Sequence, residues 1–436
     1  MRQAAGDSSW KVAQIALCDR PVRAAFLLAL SSALCASAAC SSADAPSSGA
    51  PPASGDAGTT ITPPDGAPPE PAEAGVDGAS AGLRGSLTVL TLNLHCLKTD
   101  GTAFATNDAR FAAIAKAAAD ERVDVLLAQE VCVSATENAR TMLTGALEKA
   151  TGASWSSEVA FAHRAWEGTP DEADESVAVF SRGALRDKRE LVHRSQSALR
   201  RVSLAVTVDS PVTTATGAPL AVRLATVHLD HLDAIARPAQ AREVASAAVF
   251  DADEDRLALD EGAGAVSLPL VVGGDFNARW ASPATKALVD FGFVESTASA
   301  ATTRIDHVFV HRSAPLVAGA SRELFVGAAA VSDHPGVLVR FDAAPSKPVH
   351  ITRIIATGAF AQPLSVRGDQ APMTWDVGWP AFPRRRGGGP AVALVTSELT
   401  ARAFSYKFLQ GDAVWQTGAN ESGMGERDNA IAPSFP

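Results

Sequence analysis

The chain has 436 residues, 47% of them hydrophobic and 20% charged. That length allows two or three folded units, and that balance excludes a wholly disordered chain and a polytopic membrane protein. Acidic residues exceed basic ones by 48 − 38 = 10, a net charge of −10, so there is no global pull toward nucleic acid or anionic lipid and any polyanion must be held by a local site.

In chain order, Arg20 and Arg23 precede an apolar stretch, residues 24–39, broken by serines and ending in small residues before Cys40. It is too short and too weakly apolar for a spanning helix, and residues 1–40 read as an export signal. Ser37-Ala38-Ala39-Cys40 resembles a bacterial lipoprotein processing site, with Ser37 where that pattern usually has Leu. Lipidation of Cys40, ordinary cleavage near Ala38 and a retained anchor are the three readings. The expected location is therefore outside the cytoplasm, tethered to the envelope or secreted, with a membrane met only through the lipid anchor. Residues 41–82 are largely Ala, Pro, Gly, Ser and Asp, with Ile61 and Val76 as the only large apolar side chains, which describes a flexible tether. A Pro-containing hinge near 343–348 then divides a body, 83–343, from a tail, 349–436.

The body alternates strand-like and helix-like segments. Residues 87–95 have a strand pattern, with Leu90, Leu92 and Leu94 on one face and Asn93 and His95 on the other. A helix capped by Asn107 or Asp108 follows, carrying Phe111, Ile114, Ala115 and Ala118 at helical spacing, and then a buried strand over 123–130. A second helix spans 137–150, stopped by Gly152, and a third lies near 239–250. Further strands are expected at 177–180, 202–208, 220–229, 268–272, 305–310 and 336–341. This mixed order suits sheets covered by helices.

Asn93, Glu130, His228, Asp275, Asn277, Asp306, Asp333 and His334 each fall at or just beyond the end of a strand-like run. Taken singly, Asn93 reads as a strand-end hydrogen bonder, and Glu130 or His228 as a solvated or satisfied side chain. As a set they place polar, titratable groups where several strands can converge on one cleft. Thr91-Leu92-Asn93, Gln129-Glu130, Thr226-Val227-His228, Gly274-Asp275-Phe276-Asn277, Ile305-Asp306-His307 and Ser332-Asp333-His334-Pro335 stand in the order of the signature segments of the endonuclease/exonuclease/phosphatase superfamily, which the chain resembles from about Leu87 to Phe341. The resemblance implies an α/β (α+β) fold, a four-layer α/β/β/α sandwich of two mixed sheets flanked by helices, and Mg²⁺-dependent cleavage of phosphate esters, with Mn²⁺ or Ca²⁺ as substitutes.

The chemistry of a phosphodiester agrees. Its anionic centre and poor leaving group call for a cation on the phosphoryl oxygens, an activated water and a proton supply. Hard Mg²⁺ takes a few carboxylate oxygens plus waters and substrate. Glu130 is the expected main ligand, with Asn93 beside it and Asp333 completing the shell. His334 is the candidate general base, its ring oriented by Asp306; Asp275 and Asn277 would position water and phosphate, and His228 would donate to a phosphate oxygen or protonate the leaving alkoxide. By resemblance, a carboxylate before the strand at 177–180 should pair with His228, and Glu175 is the nearest match, against an exposed charge in the acidic run from Asp171. His231 and His307 read as substrate contacts or as solvated or hydrogen-bonded loop residues, His95, in phase with Asn93, as a candidate cleft contact, and Trp280 as a substrate shelf or a packing residue. Arg237 reads as a helix-surface charge or a phosphate contact. Cys96 and Cys132 follow Asn93 and Glu130 closely; if both motif residues reach one metal from neighbouring strands, the sulfurs emerge side by side, and a disulfide is expected in an oxidising compartment.

The histidine of Thr226-Val227-His228 looks like the secreted nuclease, sphingomyelinase and inositol-phosphatase branches, so nucleic acid, phospholipid and inositol phosphates are the candidate substrates, for a monomeric enzyme. A chain that keeps the scaffold and works only as an envelope binding protein is the alternative. The tail has strand-like pieces at 350–355, 364–367, 391–396 and 403–409 and three tryptophans, Trp375, Trp379 and Trp415, which suggests a small all-β sandwich. Leu364-Ser365-Val366-Arg367-Gly368, Trp375, Phe404 to Phe408 and Trp415 to Asn420 look like a starch-binding type of carbohydrate-binding module, which implies a polysaccharide ligand. Trp375, Trp379 and Trp415 read as a platform for sugar rings or, for at least two of the three, as core; Arg384 to Arg386 read as a solvated loop or as a phosphate or surface attachment.

Overall fold

A computed structural model of the chain describes residues 82–258, 264–297, 303–385 and 389–436. The export signal at 1–40 and the tether from residue 41 to 81 lie outside the described residues. No helix among the described residues is long and apolar enough to cross a membrane.

Strand β1 (Ser86–Asn93) leads through helix α1 (Asn107–Asp120) to β2 (Val125–Val133), and α2 (Ala139–Thr151) leads on to β3 (Ser156–Ala165) and β4 (Ala173–Ser181). The chain then crosses to a second sheet with β5 (Leu185–Val192), β6 (Val202–Thr213), β7 (Pro219–His228), α3 (Ala236–Ala258), β8 (Leu270–Asp275), α4 (Pro283–Asp290), β9 (Phe293–Glu295) and β10 (Asp306–His311). It returns to the first sheet with β11 (Leu316–Leu324) and β12 (Gly336–Ala343). The strand orders are β11-β12-β1-β2-β4-β3 and β5-β6-β7-β8-β10-β9.

Alternation within each strand sorts the side chains into layers. Leu87, Val89, Val125 and Leu127 from the first sheet meet Leu204, Leu224, Val271 and Val308 from the second in one cluster between the sheets. Leu90, Leu92 and Leu126 point the other way, onto Phe111, Ile114, Leu143 and Leu147 of α1 and α2. Ala225, Val227 and Val272 likewise meet Val244, Ala245 and Leu288 of α3 and α4. The result is the expected four layers, helix, sheet, sheet, helix. Gln129 crosses the inter-sheet layer, its Nε2 donating to Thr91 Oγ1 at 3.2 Å and to Thr226 Oγ1 at 2.9 Å, so the two motif strands are pinned together directly below the polar strand ends.

The tail is all-β. It comprises β13 (Thr352–Thr357), β14 (Leu364–Gly368), β15 (Trp379–Pro380), β16 (Phe382–Pro383), β17 (Ala391–Thr396), β18 (Ala403–Gln410), β19 (Val414–Trp415), β20 (Glu421–Met424) and β21 (Asp428–Ile431). These form two sheets whose facing residues, among them Ile354, Leu394, Val366, Tyr406 and Phe408, bury one core. That core is continuous with the α3 and α4 layer of the body, and Phe291 of the body stacks on Trp379 at 4.5 Å. Arg384 and Arg385, expected as a solvated loop, are instead bound: Arg384 Nε donates to Glu254 Oε1 at 3.1 Å and Arg385 Nη1 to Asp251 Oδ1 at 2.7 Å. The acidic last third of α3 is what draws them in.

The tryptophan expectation needs a second correction. Only Trp379 is fully buried among the three, its indole donating to Pro372 O at 2.9 Å. Trp375 is half-buried and Trp415 exposed; their rings lie 6.3 Å apart at 39°, with the Arg367 guanidinium 5.3 Å over Trp415. The short strand β19 at a sheet edge turns Trp415 outward, away from the core.

Candidate active site

Topology brings the polar strand ends to one place. β1 and β2 run parallel with Asn93 beside Gln129, and β7 and β8 run parallel with His228 beside Asp275. β10 runs antiparallel to β8, so its first residue, Asp306, is the register partner of Asp275. The loop before β12 delivers His334 to the same edge. Glu130, Glu175, Arg201, His228, Asp275, Asn277 and His334 line one cleft of about 440 Å³. Asn93 and Asp306 lie behind that lining and bond to it.

Asn93 Nδ2 donates to Glu130 Oε1 at 2.9 Å and to Asp275 Oδ2 at 3.2 Å, linking the two sheets. His228 sits at the centre, its Nε2 3.6 Å from Asp275 Oδ2 and its Nδ1 3.3 Å from Glu175 Oε1. Glu175 therefore is the partner carboxylate and not an exposed charge. His334 Nδ1 bonds Asp306 Oδ2 at 2.9 Å and lies 3.8 Å from Asp275 Oδ2. Asn277 takes a left-handed φ of 48°; its amide donates to Leu229 O at 3.0 Å, and its backbone N–H donates to Asp275 Oδ1 at 2.7 Å. It fixes the Asp275 carboxylate.

Asp333 departs from its expected place. Its Oδ1 meets His95 Nδ1 at 2.9 Å, and it does not line the cleft with Glu130. Burial raises its pKa, but the His95 hydrogen bond and charge outweigh that and push it down to about 2. The same hydrogen bond raises the His95 pKa, so these two groups satisfy each other at the rim. Instead, ligand atoms of Asp275, Asp306 and His334 come within 4.8 Å of one another. His307 is a packing residue, bonded to Ala278 O at 2.8 Å and to Glu295. Trp280 is half-exposed beside Phe309 and outside the cleft lining. Arg237 donates to Asn277 O, so it supports the site loop from the start of α3.

Electrostatics give each group a state. Burial holds the carboxyls of Glu130, Asp275 and Asp306 above their ordinary range, and Asp306 Oδ1 is buried without a hydrogen-bond partner. That oxygen-rich set is short of positive charge, which is what a hard divalent cation supplies. Burial and then the Arg201 charge push His228 down to about 4, leaving a neutral ring. Arg201 Nη1 approaches the ring at 3.1 Å from Nδ1 and 3.4 Å from Nε2, while Glu175 Oε1 lies 3.3 Å from Nδ1. For His334, burial acts downward, but the Asp306 hydrogen bond and the charges of Asp306, Asp275 and Asp333 outweigh it and push the pKa up to about 10.

Two arginines were missed by sequence reasoning. Arg201, at 2% exposure, bonds Glu175, His228 and His231, and nothing in its neighbours announces partners so distant in the chain. Arg110 is fully buried on α1 and donates to Leu94 O, to Cys96 O at 2.8 Å and to Val331 O at 3.3 Å. It ties the segment after Asn93 to the segment before Asp333. Its signal was present: Arg110, Ile114 and Ala118 share one helix face, so a charge lies in the apolar stripe.

A sandwich of two mixed sheets whose strand ends converge on carboxylates and paired histidines defines the class of phosphoester-cleaving hydrolases. The Endonuclease/Exonuclease/phosphatase family profile matches residues 90–334, more than half of the chain, and the chain belongs to that family. Its members hydrolyse phosphoester bonds and generally use a divalent metal. Solved structures similar to this chain include a family protein from Leptotrichia buccalis, 17% identical, covering 58% of this chain and 98% of that one with a TM-score of 0.44. A mannosyl-6-phosphatase from Bacteroides thetaiotaomicron is 19% identical, covering 59% and 99% with a TM-score of 0.41. A family protein from Beutenbergia cavernae is 17% identical, covering 78% and 100% with a TM-score of 0.44. No curated protein matches the sequence.

Proposed function

We propose that the protein is an exported, Mg²⁺-dependent phosphodiesterase. The observation that carries the reading is the convergence of Glu130, Asp275, His228 and His334, far apart in sequence, on one cleft. Glu130 would hold the cation on the first sheet, with Asp275 and Asp306 facing it from the second; Asn93, expected beside it as a ligand, has its oxygen bonded to His95 N–H and serves as a donor that fixes Glu130. A bound cation would offset the carboxylate charges and polarise a phosphoryl oxygen. His228 would donate to a phosphate oxygen from a ring kept neutral by burial and Arg201. His334, oriented by Asp306 through Nδ1, has Nε2 free to move a proton at the attacking water, and it takes its basic form once the surrounding carboxylate charges are offset. Asn277 and Arg237 keep the Asp275 loop in place.

Export is supported by the leader at 1–40 and by the cysteine pair. The substrate test is a side-by-side assay of plasmid DNA, sphingomyelin and inositol phosphates with Mg²⁺, each repeated in EDTA. The expected result is EDTA-sensitive release of product from a diester. EDTA-insensitive turnover, or none with any of the three, would count against the reading.

For the tail we propose polysaccharide binding on the outward pair Trp375 and Trp415, since indole faces stack on sugar rings. Trp415→Ala should cut retention on an amylose resin about tenfold, in line with the loss of one aromatic anchor. Equal retention of both proteins, or none by the parent, rejects this surface.

A further inference from the structure

Glu130, which would hold the cation, and Asn93, whose amide bonds it, stand on adjacent strands of the first sheet, and the backbone around both is unusual. Glu130 has φ 51°, and just beyond Asn93, His95 has φ 50° and Cys96 φ 52°. All three carry side chains in the left-handed region, which residues other than glycine adopt only when their surroundings impose it. The β2–β4 pairing shifts register between Ala128 and Val131, so Glu130 is the residue of a bulge. Such bulges re-aim a side chain, here into the cleft. Asn93 Oδ1 accepts His95 N–H at 2.9 Å, which sets the amide so that Nδ2 reaches Glu130 Oε1.

What bridges these two irregular segments is the Cys96–Cys132 disulfide, with Cα atoms 4.9 Å apart and a sequence separation of 36. Cys96 is one of the left-handed residues. Cys132 lies two residues after Glu130 and is the β-ladder partner of Glu175. Both sulfur-bearing residues are buried, packed with Ala173 and Leu97. Arg110 supports only one side of the bridge, through Leu94 O and Cys96 O. Leu94 N–H donates to Gln129 O at 2.9 Å on the near side of the bulge, and the disulfide is the covalent tie on its far side, so Glu130 lies between the two.

We infer that the Cys96–Cys132 disulfide is a positioning element of the cation site, setting the separation and aim of Asn93 and Glu130, beyond its contribution to stability. This rests on the reading of Glu130 as a cation holder fixed by Asn93. A disulfide that merely constrained the unfolded chain would change the melting temperature and leave the folded site's affinity unaltered. One that positions the pair changes the affinity of the folded protein.

The test is Mn²⁺ binding to the full chain, followed by the electron paramagnetic resonance of free Mn²⁺, at a temperature well below melting. The parent is compared with the double variant Cys96→Ala/Cys132→Ala, with Cys96→Ser/Cys132→Ser, and with Glu130→Gln, which keeps the disulfide. Circular dichroism verifies the fold of each. The expected result is a dissociation constant at least tenfold weaker in a folded double variant, and loss of the site in Glu130→Gln. A lowered melting temperature with unchanged Mn²⁺ affinity overturns the positioning role alone. Failure of both double variants to fold assigns the bond to stability and overturns it as well. Unchanged affinity in Glu130→Gln overturns the cation-site reading itself, and with it this inference, whatever the cysteine variants do.

Discussion

Replacing His334 by alanine is expected to lower kcat/KM for bis-p-nitrophenyl phosphate about 10³-fold, within the range that a positioned acid or base contributes and equivalent to about 4 kcal/mol of transition-state stabilisation. The ring lines the cleft, with Nδ1 bonded to Asp306 at 2.9 Å and 3.8 Å from Asp275, which leaves Nε2 for the proton transfer. Asp306→Asn should cost less, since it leaves the imidazole in place and alters only its orientation and charge balance. His334→Asn, checked by circular dichroism, separates lost chemistry from lost packing. A decline of less than tenfold in a folded His334→Ala protein would remove His334 from the mechanism.

The second large effect concerns the junction of body and tail. Asp253 on α3 is fully buried and takes Arg353 of β13 through two bonds of 2.6 Å, while also pairing with Arg256 at 3.2 Å. Arg353 continues to Asp428 at 2.8 Å. Removing the carboxylate strips Arg353 of its bidentate partner inside the protein, and breaking a buried pair this way costs about 3–5 kcal/mol. Asp253→Ala should therefore lower the melting temperature by roughly 10 °C. The apolar core runs unbroken from α3 and α4 into the tail sheets, so body and tail are expected to melt in one transition and activity to be lost in step with it. A shift under about 1 °C, or two separate transitions in the parent, would show that the tail is an independent appendage.

The central strands were legible in the sequence, and the reason is their burial. β1, β2, β7, β8, β10 and β12 have neighbours on both sides, and their apolar runs end in the polar residues of the site. The strands of the body not foreseen, β3, β5, β9 and β11, are the four edges of its two sheets. An edge strand is half solvated and carries charge as protection against pairing with other chains. β5, Leu-Arg-Asp-Lys-Arg-Glu-Leu-Val, is the plainest case. α4 was missed although Ser282 caps it and Pro283 opens it, because eight residues give little periodicity. At the site, order and spacing exposed the residues that end strands. They could not expose Arg201, whose partners Glu175, His228 and His231 come from two other segments, β4 and the end of β7. Nor could they show that Asp333 turns to His95, a choice made by the turn geometry at Asn93.

The account stands on the claim that one cleft holds a divalent ion and cleaves phosphoester bonds with this chain's own side chains. Hydrolysis of bis-p-nitrophenyl phosphate by the parent and by Glu130→Gln, as Mg²⁺ is titrated in and then removed with EDTA, tests it most directly. The account predicts saturable Mg²⁺ activation of the parent, its abolition by EDTA and little response from Glu130→Gln. Turnover by the parent that persists in EDTA, or equal Mg²⁺ activation of both proteins, would contradict it.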